Sequence, residues 1–372
     1  MSSVSCEIVF DNNPLGIFQA GQFLTGRVIL TLMKDKKVDG VSLRILGQAH
    51  CGWTRRELAT DKLKSGRPQT NNIRYHAEEI YCDTVTDLVK NNNGRATCLK
   101  SGKHTYSFSC ALPITLPCSF EGSHGNIRYT AVVTFRRHLG VDSKYKTIFR
   151  IQSAHDLNKD PTYKVPVKSE AFKKFWGGFT GHPLSISTEI TRNGFVPGEH
   201  VEIRTHIVNN SGVDVIGMRY YLQKVITYHS NTPVTRCLEE KIVVAESTGS
   251  GIGAYKRTQL VHNIIVPHDH PPQLDTCSII DIKYLVKVEA RVSAIHRNLK
   301  LTLPITLGTK PIDGIYDVNR LEMPAAPPEM EPPPTYEESE GMYRNKNTTK
   351  VSKDTSSKSS SFICYYEQDD GK

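Results

Sequence analysis

One short pattern occurs twice in this chain, and the two copies together constrain the fold more than any other feature. Phe18-Gln19-Ala20-Gly21 leads into Gln22 to Leu30, and Phe195-Val196-Pro197-Gly198 leads into Glu199 to Ile207, with Phe, Gly and an Arg (Arg27, Arg204) at an offset of 177 positions. In the second copy Val201, Ile203, Thr205 and Ile207 alternate with Glu202, Arg204 and His206, the period-two signature of a half-buried strand. Pro197-Gly198 suits a type II turn, because Pro presets φ at the second position and Gly tolerates positive φ at the third. Each copy therefore reads as a turn followed by a strand.

The repetition continues downstream. Val41, Leu43 and Ile45 alternate after the first copy as Ile216, Met218, Tyr220 and Leu222 do after the second. Ile127-Arg128-Tyr129-Thr130-Ala131-Val132-Val133 is matched by Ile282-Lys283-Tyr284-Leu285-Val286-Lys287-Val288, now at an offset of 155. The order is kept while the spacing shrinks, which puts extra residues into the first half, in the polar run between Arg55 and His104. Two similar β domains in tandem explain this most economically. Strong amphipathic helical stretches are absent, so the expected class is all-β: immunoglobulin-like β-sandwiches at residues 1–155 and 182–309, then a tail at 310–372.

A connector is expected at 156–181, where Asp160-Pro161, Pro166 and Gly177-Gly178 break the alternation. Its Phe172, Phe175, Trp176 and Phe179 read as packing against both sandwiches, with a hydrophobic docking patch as the alternative. Trp53 to Asn72, rich in Lys, Arg, Gly and Thr, reads as an exposed loop. In the tail, Pro324 to Met342 carries six prolines and five glutamates without Lys or Arg, a composition that cannot bury enough apolar surface to fold.

No apolar run approaches the roughly 20 residues of a membrane-spanning helix. Met1 to Phe10 lacks the basic and apolar segments of a secretory signal, so a cytosolic chain is expected. Nine cysteines without a Cys-x-x-Cys pair then read as reduced and mostly buried, and the sequons at Asn209 and Asn347 as idle. Residues 310–372 hold 8 Lys and Arg against 12 Asp and Glu, so a chain of net charge +9 carries +13 on residues 1–309. Such a surface invites acidic partners, namely phosphorylated peptides, anionic lipid or nucleic acid, with simple solubility as the alternative. Lys34, Lys36, Lys37, Arg136 and Arg137 are the candidate contributors.

Signatures of catalysis are missing: there is no Gly-x-Ser-x-Gly, no phosphate-binding Walker loop and no His-Glu-x-x-His. Gly249-Ser250-Gly251-Ile252-Gly253 has no βαβ context and reads as a loop between strands, while His268-Asp269-His270 reads as a solvated loop with no further ligand cluster. No catalytic residue, metal or cofactor is expected. The sharpest signal is Glu331-Pro332-Pro333-Pro334-Thr335-Tyr336-Glu337-Glu338. Consecutive prolines favour polyproline II before binding, so Pro333 and Pro334 can lie across an aromatic groove at little entropic cost while Tyr336 fills a second pocket. That is the form of a WW-domain ligand, Pro-Pro-x-Tyr.

Taken together, Phe18-x-x-Gly21 with Gly26-Arg27-Val28, Leu116-Pro117-Cys118-Ser119-Phe120-Glu121-Gly122 before Gly125-Asn126-Ile127-Arg128-Tyr129, and Phe195-Val196-Pro197-Gly198-Glu199 with Asn209-Asn210-Ser211 resemble the α-arrestin, or arrestin-domain-containing, family. The resemblance spans roughly Cys6 to Gly308 and implies two arrestin-type sandwiches joined by a short hinge. It implies a non-enzymatic adaptor that binds cytosolic tails of membrane proteins and recruits WW-domain HECT-type ubiquitin ligases through Pro333, Pro334 and Tyr336. Expected consequences are cargo ubiquitination and endocytosis, a place in the cytoplasm and peripherally at plasma membrane and endosomes, contact with acidic membrane lipids, and no nucleic-acid partner. Relatives often carry two Pro-Pro-x-Tyr motifs where this tail has one, which lowers avidity for paired WW domains. A coat-like endosomal sorting scaffold is the alternative of similar shape, and a metal-dependent hydrolase using His268 and His270 is the alternative of another class.

Overall fold

The computed structural model describes residues 4–58, 70–90, 96–152, 155–175, 182–268, 271, 274, 276–293, 296–314 and 365–366. In the first half, β1 (Val4–Phe10), β3 (Phe23–Leu32) and β7 (Gly102–Ala111) form an antiparallel sheet of order β1-β3-β7. The partner sheet has the order β2-β10-β9-β4-β5, made of β2 (Ile17–Gln19), β10 (Ser143–Gln152), β9 (Gly125–Arg137), β4 (Lys36–Leu58) and β5 (Thr70–Val89). Two short strands, β6 (Thr97–Leu99) and β8 (Phe120–Gly122), join β4 and β9, and Tyr365–Tyr366 pairs with β10.

The second half repeats the plan. β11 (Val167–Lys173), β12 (Leu184–Ile190), β14 (His200–Asn209) and β17 (Arg257–Ile265) make one sheet in that order. The other runs β13-β19-β18-β15-β16, from β13 (Gly194–Phe195), β19 (Leu299–Leu307), β18 (Ile280–Val292), β15 (Val215–Ser230) and β16 (Arg236–Gly249). Strand for strand, β2, β3, β4, β5, β7, β9 and β10 correspond to β13, β14, β15, β16, β17, β18 and β19.

The correspondence reaches single residues. Gly21 and Gly198 have φ of +84° and +87°, the left-handed region in which only glycine sits without strain. Each closes a turn, with Gln22 N donating to Gln19 O and Glu199 N to Val196 O. Phe18 and Phe195, both buried, ride on short parallel strands paired with β10 and β19. Tyr129 and Tyr284 are buried in β9 and β18, and each hydroxyl donates to the carbonyl of a proline in the preceding loop, Pro117 at 2.6 Å and Pro271 at 2.8 Å.

Alternation produces the cores. Along β3, Leu24, Val28, Leu30 and Leu32 point inward, as Val201, Ile203, Thr205 and Ile207 do along β14. Each fully buried Leu or Ile contributes about 1.5–3 kcal/mol relative to exposure.

The structure departs from the sequence expectation at three places. Trp53–Leu58 and Thr70–Asn72 are strand rather than loop: β4 pairs with β5 as far as Leu58 opposite Thr70. Thr54 to Arg56 are exposed there, so the ladder holds the hairpin without an apolar face to announce it. Residues 59–69 lie outside the described set. The connector, too, contains a strand, since β11 adds to the edge of β12; an edge strand needs little apolar alternation. Before it, Pro161–Lys164 forms a single 3-10 turn whose cap is the Asp160 carboxylate, accepting from Thr162 N at 2.9 Å. Phe172 is exposed and Phe175 lies 4.9 Å from His296, whereas Trp176 and Phe179 fall outside the described residues. Among the described cysteines none is in a disulfide, but Cys98 and Cys237 are exposed rather than buried.

The two sandwiches meet through the β4–β5 hairpin and β15. His76 and Thr232 exchange backbone hydrogen bonds of 2.9 and 3.1 Å. Ser278 donates twice to Glu79 Oε2, at 2.9 Å from N and 2.8 Å from Oγ, and Ser123 Oγ donates to Glu240 Oε1 at 2.6 Å. Cys51 Sγ donates to His229 O at 3.2 Å.

Candidate functional site

The five basic residues singled out in the sequence lie at one end of the first sandwich, where β4 begins and β9 ends. Val38 sits opposite Arg137 and Gly40 opposite Arg136, with a register shift between. Strand alternation then divides them. Val38 is fully buried, so Lys36, two residues earlier, points along the core face toward the open mouth of the sandwich. Arg137 continues the inward series Val133, Phe135 on β9, and its Nη2 donates to Ser143 Oγ at 2.8 Å. Lys34 completes this group: burial first, then the charges of Lys34 and Arg137, lowers the pKa of Lys36.

Lys37 and Arg136 take the outer face. Arg136 Nη2 lies 3.5 Å from Asp87 Oδ1 of β5, which neutralises part of its charge. The expected patch of five is therefore two subsets, with Lys34, Lys36 and Arg137 as the cluster whose charges act on one another. The acidic residues nearby are engaged. Asp35 accepts from Lys100 Nζ at 3.0 Å and Ser101 N at 2.9 Å, which holds its pKa below the ordinary value through the Ser101 amide first and Lys100 second. Asp39 lies 2.8 Å from His138 Nδ1, and Asp142 accepts from Arg137 N at 3.2 Å.

The other marked residues divide as follows. Pro333, Pro334 and Tyr336 lie outside the described residues, as do Asp269 and His270. His268 packs its ring over the Gly198 turn, 2.5 Å from where a side chain there would begin, so it serves that turn. Among the described residues no group of three or more His, Cys, Asp and Glu could hold a metal ion. Gly249 to Gly253 links β16 to β17, with Ile252 bridged to Val215.

The structure also holds a buried ion pair that no sequence motif marks. Arg192 Nη2 and Glu199 Oε2 are 2.9 Å apart, the guanidinium lies 4.6 Å from the Phe195 ring centroid, and Glu199 also accepts from Val196 N at 2.9 Å. The pair is sealed inside the second repeated turn and fixes its shape. The signal available was an acid directly after Pro-Gly in an otherwise apolar stretch.

The architecture matches known families. The arrestin (or S-antigen) N-terminal domain matches residues 6–158 and the arrestin C-terminal domain residues 180–312. Arrestin domain-containing protein 17 of Caenorhabditis elegans is 28% identical over 317 residues, covering 82% of this chain and 70% of the relative. Arrestin domain-containing protein 4 of Mus musculus is 26% identical over 315 residues, covering 83% and 73%. Arrestin domain-containing protein 1 of Homo sapiens is 29% identical over 246 residues, covering 64% and 53%. With an arrestin domain in each half and this likeness over most of its length, the chain belongs to the arrestin-domain-containing, or α-arrestin, family, which points to an adaptor-type function.

Proposed function

We propose that the chain is an adaptor that holds the cytosolic tail of a membrane protein on its sandwiches and recruits a WW-domain HECT-type ubiquitin ligase through Pro333, Pro334 and Tyr336. Ligase is then concentrated near cargo lysines, which promotes ubiquitination and endocytosis without chemistry by this chain. The protein would work in the cytoplasm, peripherally at plasma membrane and endosomes. The observation that carries the reading is the Pro-Pro-x-Tyr sequence placed beyond a pair of arrestin domains.

Titration of a Glu329 to Ser339 peptide and of the full chain against a WW domain tests it. Tyr336→Ala removes an aromatic anchor and should cost about 2 kcal/mol or more, roughly thirtyfold in affinity. Phosphorylation of Tyr336 should also block binding, because about two negative charges cannot be desolvated cheaply in an apolar pocket. Equal affinity for all three forms would reduce the motif to a spacer and remove the ligase from the account.

A further inference from the structure

Three connections of the first sandwich converge beside the basic cluster: the β3–β4 turn at Met33 to Asp35, the β6–β7 turn at Lys100 and Ser101, and the β9–β10 loop at His138 to Asp142. They are tied together. Asp35 accepts from both Lys100 and Ser101, and His138 N donates to Lys37 O at 3.3 Å. At this end three large apolar side chains stand in water, Leu139 at 88%, Met33 at 77% and Val141 at 75% exposure. Leu139 and Val141 occupy the tip of the β9–β10 hairpin, and Met33 follows directly on the last residue of β3.

Apolar tips ringed by cations match one kind of surface. At an anionic bilayer the apolar groups enter the boundary between headgroups and acyl chains while the ammonium and guanidinium groups remain among the phosphates. A soluble acidic peptide would satisfy the cations but leave Leu139, Val141 and Met33 in water. Asp35 is offset by Lys100 and Arg136 by Asp87, which leaves Lys34, Lys36, Lys37 and Arg137 against Asp39 and Asp142, a local excess of positive charge.

We propose that this end of the first sandwich docks on a membrane leaflet containing anionic phospholipid, with Leu139, Val141 and Met33 entering the interface and Lys34 and Lys36 facing the headgroups. The docking goes beyond ligase recruitment and relies on the adaptor reading only for its purpose. Vesicle binding and WW-domain binding are measured separately, so either can fail alone.

The test uses the full chain sedimented with phosphatidylcholine vesicles, with and without phosphatidylserine. Binding should require phosphatidylserine and weaken as salt is raised. Leu139→Asp with Val141→Asp should lower affinity at least about tenfold, and Lys34→Glu with Lys36→Glu should do the same through charge. Ile114→Asp changes an 83% exposed apolar residue beside the Gly21 turn, about 30 Å away along β3, and should leave binding unchanged. Leu139→Trp should show emission shifted to the blue on vesicles and quenched by brominated acyl chains, which surface attraction alone does not produce. All positions changed are exposed or half-buried, and matching unfolding curves establish that the variants fold. No binding to phosphatidylserine vesicles would overturn the proposal. So would binding that ignores residues 139 and 141 while an acidic phosphopeptide competes for it, since the partner would then be a soluble acidic peptide.

Discussion

The two repeated turns are made of the same parts and placed in different surroundings. In the first, Gln19 N donates to Gln22 Oε1 at 2.9 Å, and Gln22 is exposed. In the second, Val196 N donates to Glu199 Oε2 at the same 2.9 Å, but Glu199 is 3% exposed and paired with Arg192. One reach of three residues thus serves a neutral turn at the surface and a charged turn inside the protein. The glycine conformation keeps both shapes, so the difference lies in what each turn depends on. A buried pair adds little net stability over an apolar replacement, yet it becomes expensive once one partner is removed.

That contrast gives the largest expected effect. Arg192→Ala or Glu199→Ala should destabilise the protein by about 3–5 kcal/mol, because a buried charge is left alone. Gln22→Ala should cost less than about 1 kcal/mol, since water replaces the lost hydrogen bond. Urea unfolding of the full chain measures both, and similar costs at the two turns would break the comparison.

Where the halves are alike, the effects should be alike. Tyr129→Phe and Tyr284→Phe each strand one proline carbonyl in a buried site, at about 1–2 kcal/mol apiece. A large penalty at one and none at the other would mean that the shared topology does not extend to these hydroxyls.

These are the features that the sequence displays well, for a physical reason. A half-buried strand writes its two faces into alternating residues, a left-handed turn requires glycine, and a core tyrosine needs a partner for its hydroxyl; all three recur in both halves. The basic site was harder to read. A register shift between Val38 and Gly40 decides which face Lys36 and Lys37 take, and spacing alone carries no trace of it. Leu139 and Val141 alternate like strand residues, although they occupy a hairpin tip. Polar contacts between sandwiches, such as Ser278 with Glu79, join residues far apart in the chain and leave no local pattern.

A smaller effect separates the cysteines. Burial raises the Cys51 thiol to about 11 at the junction of the sandwiches, so almost no thiolate exists at neutral pH. Iodoacetamide followed by mass spectrometry should label exposed Cys98 and Cys237 early and Cys51 last. Early labelling of Cys51 would mean that the sandwiches part readily.

The smallest expected effect is a pH dependence confined to the second sandwich. His262 stacks on Tyr220 with centroids 4.2 Å apart, and burial lowers its pKa below 6.5. It pairs with Ile203, as Phe108 pairs with Gly26 at the equivalent place in the first sandwich. With the folded pKa depressed, the unfolded chain takes up the proton more readily. The associated stability is therefore full above 6.5 and is lost as pH falls through the folded value. His262→Phe should flatten that part of the stability profile, and an unchanged profile would assign the acid sensitivity elsewhere.

A chain that bridges a membrane and a ligase should make a labelled WW domain co-sediment with phosphatidylserine vesicles. Full-length chain should carry the WW domain down with the vesicles. Tyr336→Ala should leave the chain on the vesicles and release the WW domain, whereas Leu139→Asp with Val141→Asp should leave both in solution. A WW domain that still sediments with the Tyr336→Ala chain, or fails to sediment with the intact one, would mean that this chain does not link the two.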